Sequence, residues 1–300
     1  MDTHLYTESL ATDIRTAEIF VHATTYLVED YPDNKILNEL EAAKKRGVDV
    51  KLMFDRHTFD DYPTIRQDLE KRDIAYKVIS GHAKVVVIDN KMAYVGSSNW
   101  NRNGLEENWE LNLKTTIPST VAEANQYVAF LWEEGINPVD STSTSPERFV
   151  NGAEFYNLLI ENVQHADTVK ILTYTTSYNP EDSDAIDSRF FNELKKANDR
   201  GAKLQIVMDD SEYFASLSAR DFLLANNIPH RLDESGTEEQ ILHAKAILFD
   251  DKVLFIGSHN LDIDSLLSNQ QVSIMTTDQR VISNFLIIFE VKWQTSEVPR

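Results

Sequence analysis

Two copies of one residue pattern carry the groups in this chain that could do chemistry. Each copy reads His-x-Lys-x4-Asp-x6-Gly-Ser-x-Asn, and the copies lie 161 positions apart. One histidine can attack phosphorus as a nucleophile while a second protonates the leaving group, and lysine and asparagine can bind oxygens whose negative charge grows. The candidate residues are His82, Lys84, Asp89, Ser97 and Asn99 in the first copy, and His243, Lys245, Asp250, Ser258 and Asn260 in the second.

Strand geometry predicts that the polar groups of each copy point into one site. His82 and Lys84 are two positions apart, so a β-strand would place both side chains on the same face. Gly96 falls where the next strand ends, and a glycine there allows a ligand to approach the backbone closely. Ser97 and Asn99 are therefore predicted to bind phosphate oxygens beside the Lys84 ammonium, and the second copy offers the same groups.

Each copy supplies only one histidine, whereas cleavage of a phosphodiester needs a nucleophile and a proton donor on opposite sides of phosphorus. Pairing of the two halves about a pseudo-twofold axis would bring His82 and His243 together. An unperturbed imidazole titrates near pH ~6.5, so one neutral and one protonated ring can coexist near neutrality. The chain is therefore predicted to be a monomer whose halves form an intramolecular pseudo-dimer.

The elements that position these groups repeat as well. Arg46-Gly47 and Arg200-Gly201 each end a predicted helix and precede an apolar strand that ends in aspartate. Helices alternate with apolar strands in each half, which predicts an α/β fold with a mixed, mainly parallel sheet and helices on both faces. The predicted domains are residues 1–138 and 147–300, and the Pro/Ser/Thr-rich stretch 139–146 is interpreted as the linker.

The second half is longer than the first between the aspartate that ends this strand and the next copy of the motif. The offset between the halves is 154 at Asp55 and Asp209 but 161 at the two motifs, which leaves seven extra residues. The segment around 211–237 is predicted to contain them. A lengthened loop near a site is often where substrate specificity is set.

Composition excludes several other classes of site. The chain has 300 residues and no cysteine, so disulfides, Cys-ligated zinc, iron–sulfur clusters and a cysteine nucleophile are excluded. The net charge of −20 argues against a broad nucleic-acid surface, because such surfaces neutralise phosphates with lysine and arginine. No signal peptide and no transmembrane segment are visible. A cytoplasmic or otherwise soluble protein is expected, although a removed leader would leave the same sequence.

The duplicated motif resembles that of the phospholipase D superfamily, and the resemblance covers nearly the whole chain. It implies a phosphodiesterase that forms a covalent phosphohistidine and then transfers the phosphoryl group to water or an alcohol, with no metal and no cofactor. It also implies that His82 attacks phosphorus, and that His243 protonates the leaving oxygen and then activates the acceptor. The lysines and asparagines of both motifs would hold the phosphoryl oxygens, and Asp89 and Asp250 would brace the site.

One departure from that family distinguishes the two halves. A family glutamate lies eleven residues after the motif asparagine and hydrogen-bonds the histidine of its own half, and here those positions hold Glu110 and Gln271. A carboxylate stabilises a charged imidazole and fixes its tautomer, whereas an amide only orients the ring. Glu110 is therefore predicted to support His82 as the nucleophile, and Gln271 to orient His243.

The substrate is less well defined than the reaction. A single chain with two motifs is common among the lipid-acting members of the superfamily, so a phospholipid headgroup is slightly favoured. The stretches Gly96-Ser97-Ser98-Asn99-Trp100 and Asn108-Trp109-Glu110 instead resemble the smaller nucleases. A metal-independent nuclease for short or single-stranded DNA or RNA is therefore the alternative. A non-catalytic protein that binds phosphorylated ligands is a third hypothesis, which a His82→Ala variant would test.

Overall fold

The computed structural model describes residues 1–133, 145–182, 184–234, 240–262, 265–266 and 270–299. The predicted linker 139–146 lies outside these residues except for its last two. Among the residues described, no helix is both long and apolar enough to cross a bilayer.

The first half forms one sheet flanked by helices. Its strands are β1 (Phe20–Thr25), β2 (Asp49–Asp55), β3 (Ala75–Ile79), β4 (Val85–Ile88), β5 (Met92–Gly96) and β6 (Asn112–Thr115). Its helices are α1 (Thr3–Thr16), α2 (Lys35–Lys45), α3 (Thr58–Asp61), α4 (Ile65–Lys71) and α5 (Pro118–Glu133), and a π-helical turn covers Asn103–Glu107. The sequence signals for α2 are confirmed: Asn34 caps its first turn by accepting the N–H of Leu37, and Gly47 follows its end with φ +93°.

The second half repeats this plan with one additional strand. Its strands are β7 (Glu147–Asn151), β8 (Thr168–Thr173), β9 (Lys203–Asp209), β10 (His230–Asp233), β11 (Ala246–Phe249), β12 (Val253–Gly257) and β13 (Val272–Thr276). Its helices are α6 (Gly152–His165), α7 (Ile186–Asp199), α8 (Asp210–Ala215), α9 (Leu217–Ala225) and α10 (Gln279–Thr295). β7 was not predicted, and it pairs with β13 at the edge of the second sheet.

The two sheets have matching topologies. The first has the order β3-β2-β1-β4-β5-β6, and the second has the order β10-β9-β8-β11-β12-β13-β7. The first three strands of each order are parallel. The remaining pairings are antiparallel. The predicted α/β fold with two tandem repeats is confirmed, but "mainly parallel" is wrong, because antiparallel pairings outnumber parallel ones in both sheets.

Tight turns at the motif aspartates account for the antiparallel part. Asp89 and Asn90 have φ of +53° and +54°, and Asp250 and Asp251 have φ of +52° and +51°. Two successive residues in the left-handed region make the turn of a short β-hairpin, and aspartate and asparagine tolerate that region. The chain therefore reverses directly from β4 into β5 and from β11 into β12.

The aspartate carboxylates also tie each hairpin to the strand beside it. Asp89 accepts the backbone N–H groups of Glu18, Ile19 and Phe20 at 2.8–2.9 Å. Asp250 accepts the N–H groups at 167 and 168 at 2.8 and 2.9 Å. Both aspartates lie at the end of their strand that is far from the motif histidine. The contacts fit the expected bracing role and give no support to grouping Asp89 and Asp250 with the residues that act on the substrate.

Apolar packing joins the two halves into one body. Val85 and Val95 of the first sheet share a fully buried core cluster with Val272 and Ile274 of the second. In the same way, Leu111 belongs to a cluster made otherwise of second-half residues. The strands that follow the two motifs therefore meet at the interface between the halves, where a shared site can form.

The strand register locates the seven extra residues of the second half. Asp55 pairs with Ile79, and Asp209 pairs with Asp233, so these positions correspond. Three positions separate Ile79 from the first motif, whereas ten separate Asp233 from His243. The predicted segment around 211–237 therefore overlaps the insertion only at its end, and its helices are matched in the first half. The extra residues lie between 233 and 243, and 235–239 among them are outside the described part of the chain.

Candidate active site

Each motif histidine is anchored by backbone of the opposite half. The N–H of His82 donates to the carbonyl of Gln270, and the N–H of His243 donates to the carbonyl of Trp109, both at 2.9 Å. The charges of His243 and Lys245 are close enough to lower the pKa of His82. The structure thus brings the two motifs into one site, as the duplicated sequence predicts.

The side chains behind the two histidines are exchanged between the halves. His243 Nδ1 lies 2.8 Å from Glu110 Oε1 and 3.0 Å from Oε2, and His82 Nδ1 lies 3.2 Å from Gln271 Oε1. The prediction that Glu110 supports His82 and that Gln271 orients His243 is therefore wrong. The Glu110 carboxylate can only accept, so its contact requires a hydrogen on Nδ1 of His243 and leaves Nε2 of the neutral ring with its lone pair. At His82 the Lys84 ammonium, which can only donate, lies 3.0 Å from Nδ1 as well as 3.2 Å from Nε2, so the contacts do not fix which nitrogen carries the hydrogen.

Burial keeps both histidines neutral in the free protein. It lowers the pKa of His243 to about 4 in spite of the facing Glu110 carboxylate. It also lowers the pKa of His82 well below the usual range, and the neighbouring Lys84 and Lys245 lower it further. Burial favours the neutral form of Glu110 as well, but His243 and Lys245 hold its pKa below the ordinary value. An incoming phosphodiester anion would oppose these effects by favouring a protonated ring.

The two motif lysines are buried and occupy equivalent places. Lys84 Nζ donates to the carbonyl of His82 at 2.7 Å, and Lys245 Nζ donates to the carbonyl of His243 at 2.6 Å. Lys84 Nζ also lies 3.2 Å from His82 Nε2, the atom that would attack phosphorus. Burial lowers the pKa of Lys245 to about 7 and that of Lys84 well below its usual value. Both ammonium groups therefore sit where a bound anion would stabilise their charge.

Sequence reasoning missed a pair of tyrosines in the site. The ring of Tyr26 lies 4.4 Å from that of His82, and the ring of Tyr174 lies 4.9 Å from that of His243. The lysine of each motif also lies over the tyrosine of its own half, at 5.3 Å for Tyr26 and 5.2 Å for Tyr174. The tyrosines are offset by 148, whereas the other repeats are offset by 154 or 161. A search for repeats at those offsets could not pair them.

The aspartates that end β2 and β9 position the segments that lead into the motifs. Asp55 Oδ2 accepts the N–H of Gly81, and Asp209 Oδ2 accepts the N–H of Leu242, both at 2.8 Å. Each of these donors is the residue immediately before a motif histidine. The repeated aspartate was visible in the sequence, but its contact with the motif was not.

Ser97 and Ser258 bind backbone groups of the adjacent strand, and their binding to phosphate stays a prediction. Both are fully buried, and their hydroxyls span to the next strand. Ser97 Oγ accepts the N–H of Leu111 at 3.0 Å, and Ser258 Oγ accepts the N–H of Val272 at 3.1 Å. These donors directly follow Glu110 and Gln271. The serines thus hold the strands that support the histidines, and their contacts do not point to phosphate binding.

Glycine is needed at positions 96 and 257 because the neighbouring strand leaves no room for a side chain, and not because a ligand approaches the backbone there. A Cβ at Gly96 would lie 2.1 Å from Asn112 Oδ1, and one at Gly257 would lie 2.2 Å from the Val272 carbonyl oxygen. Asn99 and Asn260 are more than nine-tenths buried, and Asn99 Oδ1 accepts the N–H of Leu27 at 3.4 Å. Their binding to phosphate stays a prediction.

In the described part of the chain, no group of three or more His, Cys, Asp or Glu side chains is arranged to hold a metal ion. The polar groups that converge in the site are two lysine ammonium groups, which can donate to an oxyanion, and two imidazoles.

Known proteins share this fold and this sequence pattern. The family model described as "Cardiolipin synthase, PLD-like domain" matches residues 10–132 and 159–293. Cardiolipin synthase 1 of Staphylococcus epidermidis is 20% identical, with 99% of this chain and 67% of its own length covered. Cardiolipin synthase 2 of the same organism is 23% identical, with 93% and 64% covered. The chain spans about two thirds of the length of these relatives.

Solved structures agree on the fold. Phosphatidylserine synthase of Haemophilus influenzae superposes with a TM-score of 0.76 at 13% identity, covering 99% of this chain and 86% of that one. Polyphosphate kinase of Porphyromonas gingivalis gives a TM-score of 0.66 at 14% identity, covering 98% of this chain and 50% of that one. The family match extends over most of both halves and includes both motifs, and the chain therefore belongs to the cardiolipin synthase family of phospholipase D-like domains.

Proposed function

We propose that this chain transfers the phosphatidyl group of a phospholipid to an acceptor alcohol, with water as a competing acceptor, through a covalent phosphohistidine. One observation carries the proposal: the motif imidazoles, each contacted at Nδ1 by a side chain of the opposite half, lie in one site with the two buried motif lysines. Such an arrangement suits displacement at phosphorus, because it supplies a nucleophile, a proton carrier and stabilisation of the oxyanion together.

In the first step, His82 Nε2 forms a bond to phosphorus while the bond to the leaving oxygen breaks. His243 Nε2 gives its proton to that oxygen, and the two lysines stabilise the charge on the oxygens that stay on phosphorus. In the second step, the acceptor hydroxyl gives its proton to His243. Its oxygen then bonds to phosphorus as the N–P bond breaks, which restores His82.

The pairing of Glu110 with His243 and of Gln271 with His82 supports the same roles for the two histidines, although the carboxylate was expected behind the nucleophile. A general acid must carry a proton, and the Glu110 carboxylate behind His243 stabilises its imidazolium. A nucleophile must be neutral, and Gln271 orients His82 without stabilising its charged form. The arrival of the substrate anion would raise the pKa of His243 from its value of about 4 in the free protein.

A lipid substrate is supported by the relatives and by charge. Cardiolipin synthases and a phosphatidylserine synthase, which act on phospholipids, are among the proteins that this chain resembles. The net charge of −20 disfavours a long polyanion, which would need a broad basic surface.

A single substrate panel tests the proposal. The protein is given vesicles of phosphatidylglycerol, single- and double-stranded DNA, RNA and an aryl phosphodiester, with and without EDTA. Release of glycerol, or its exchange for an added alcohol, is expected from phosphatidylglycerol alone among the natural substrates, and EDTA should not change the rate. Cleavage of nucleic acid without headgroup release would establish the nuclease alternative. Full activity of His82→Ala or His243→Ala would refute the two-histidine mechanism.

A further inference from the structure

The second half carries an exposed apolar ridge, formed by Phe214 of α8 and by Leu217 and Leu224 of α9. Their side chains are 61%, 53% and 50% exposed. Leu217 and Leu224 are seven positions apart, which places them on the same face of α9 two turns from each other. The adjacent Tyr213 and Leu223 are buried in the core. The two helices are therefore fixed to the domain while the apolar ridge points outward.

Helix α8 connects the apolar ridge to the active site. At its start, Asp209 accepts the N–H of Leu242, the residue before His243. Glu212, in its first turn, is close enough to raise the pKa of Tyr174 after the larger effect of burial, and the Tyr174 ring lies 4.9 Å from that of His243. α8 is six residues long, so Phe214 lies within two helical turns of the residues that contact the His243 segment.

The first half has no apolar ridge at the corresponding positions. Strand pairing shows that positions of the two halves correspond at an offset of 154. At this offset, the three apolar side chains of the ridge correspond to Asp60, Pro63 and Glu70, which are also exposed. Under the same offset, the buried Leu223 matches Leu69, which is also buried. The helices of both halves therefore pack alike on their inner side. Only the second half presents an apolar surface on the outer side, so packing of the fold does not require it.

We propose that the apolar ridge inserts into the surface of a phospholipid bilayer and so presents lipid phosphodiesters to His82 and His243. This inference rests on the proposed function. In a bilayer the phosphodiester lies directly above the acyl chains, and Phe and Leu side chains at the boundary insert among those chains. Three side chains on the two helices that follow Asp209 would therefore enter the acyl region while the headgroup reaches the histidines.

Other occupants fit the apolar ridge less well. Asp210, Glu212 and Asp221 lie within α8 and α9 beside it, and with the net charge of −20 they repel both a nucleic acid and a strongly anionic bilayer. The occupant is therefore a bilayer of mainly zwitterionic lipid, which the ridge enters through the acyl chains and not through charge. Three side chains are also few for an interface between two copies of the chain, since a stable interface buries on the order of 1,200 Å² or more. Insertion into lipid has no such requirement, because the surrounding acyl chains adapt to the side chains.

The test separates vesicle binding from chemistry. The apolar ridge is replaced in two ways: by serine in Phe214→Ser/Leu217→Ser, and by the first-half residues in Phe214→Asp/Leu224→Glu. The control is Ile19→Ser, because Ile19 is 63% exposed and lies at the opposite end of β1 from Tyr26. Each protein is assayed for flotation with phosphatidylcholine vesicles containing phosphatidylglycerol, for turnover of those vesicles, and for turnover of dibutyryl phosphatidylglycerol, which stays monomeric in water.

Both ridge variants are expected to bind vesicles at least about tenfold more weakly and to lose a similar factor in vesicle turnover, because each buried Phe or Leu contributes about tenfold or more. Their turnover of the monomeric lipid, and every property of Ile19→Ser, should match the wild type. Unchanged vesicle binding by the serine variant would overturn the inference. So would a wild-type dimer in sedimentation that the ridge variants convert to monomer. Ridge-dependent flotation without turnover of either lipid would refute the proposed function and leave the docking surface standing.

Discussion

Glu110 of the first half hydrogen-bonds His243 of the second, with 2.8 Å between Oε1 and Nδ1. The reciprocal contact joins Gln271 of the second half to His82 of the first, at 3.2 Å. Each histidine thus depends on the other half for its orientation, and neither half contains a complete catalytic group. The pairing also places the one carboxylate behind His243, which gives the two halves different electrostatic environments within a symmetric fold.

Glu110→Gln would place an amide behind His243, as Gln271 already does behind His82. We expect kcat to fall by roughly 10²–10⁴, the range of a general acid–base contribution. A general acid works below its pKa, and loss of the carboxylate lowers the pKa of His243. The alkaline limb of the kcat profile should therefore move to lower pH. A loss of rate with an unmoved alkaline limb would show that Glu110 does not act through the charge of His243.

Gln271→Glu is the matched change behind the other histidine. A carboxylate there would raise the pKa of His82, and a nucleophile works only above its pKa because it must be neutral. The acidic limb should therefore move to higher pH, while the alkaline limb stays in place. Measurement of kcat against pH for the wild type and both variants distinguishes the two roles. Movement of the same limb in both variants would contradict the division of labour.

The sequence identified Glu110 and Gln271 correctly but paired each with the wrong histidine. Spacing along the chain places a residue at a position on a strand, and it cannot say which half's histidine that strand faces. That information comes from packing across the interface, where Trp109 and Gln270 bond the backbone of the opposite motif. Secondary-structure propensity and hydrophobic periodicity describe neighbours along the chain, so they cannot predict contacts between the two halves.

The contacts of the motif serines and the direction of the strands also depend on neighbours in space that the sequence does not reveal. Ser97 was assigned to phosphate because it lies near Lys84 in sequence, whereas its neighbour in space is Leu111 of the next strand. Alternating helices and strands predict a mainly parallel sheet, whereas the direct reversals at Asp89-Asn90 and Asp250-Asp251 make the later strands of each sheet antiparallel. Repeated motifs and helix ends were predictable because they depend on local sequence, and side-chain partners across strands were not.

An activated leaving group should bypass His243 but not His82. A p-nitrophenyl phosphodiester leaves without protonation, so His243→Ala should still release one burst of nitrophenol per active site and then stop at the phosphohistidine. His82→Ala should give no burst. The label is then mapped by peptide analysis after an acid-free quench. A phosphorylated His243 in the wild type would reverse the assignment.

Asp89→Asn should lower stability without changing the chemistry. Burial disfavours the carboxylate, but the backbone N–H donors at 18–20 outweigh it and lower the pKa of Asp89 below 3.8. A carboxyl with a lowered folded pKa stabilises the protein fully above its unfolded pKa, and this contribution fades as pH falls through the folded pKa. We expect a loss of about 1–3 kcal/mol in the free energy of urea unfolding at pH 7, for one donor left without an acceptor.

The difference between Asp89→Asn and the wild type should shrink as pH falls below about 4. Asp73→Asn is the matched control, because Asp73 also has a positive φ of +54° but a side chain that is 90% exposed. Turnover per folded molecule should be unchanged in both variants. A selective loss of kcat in Asp89→Asn at full stability would give the motif aspartate a direct role in catalysis.

Binding of a phosphodiester anion should weaken as pH rises through the pKa of Lys245. Burial lowers that pKa to about 7 in the free protein, and a bound anion favours the protonated ammonium, so binding takes up a proton. Diethyl phosphate keeps a constant charge across this range, and its inhibition constant should rise by about tenfold per pH unit above pH 7 for one coupled proton. Lys245→Met should bind it weakly at every pH and lose the one power of ten per pH unit that Lys245 contributes, while any slope from proton uptake by His243 or Lys84 remains. An inhibition constant that is independent of pH in the wild type would mean that Lys245 stays charged in the empty site, and that the anion is not the source of its charge.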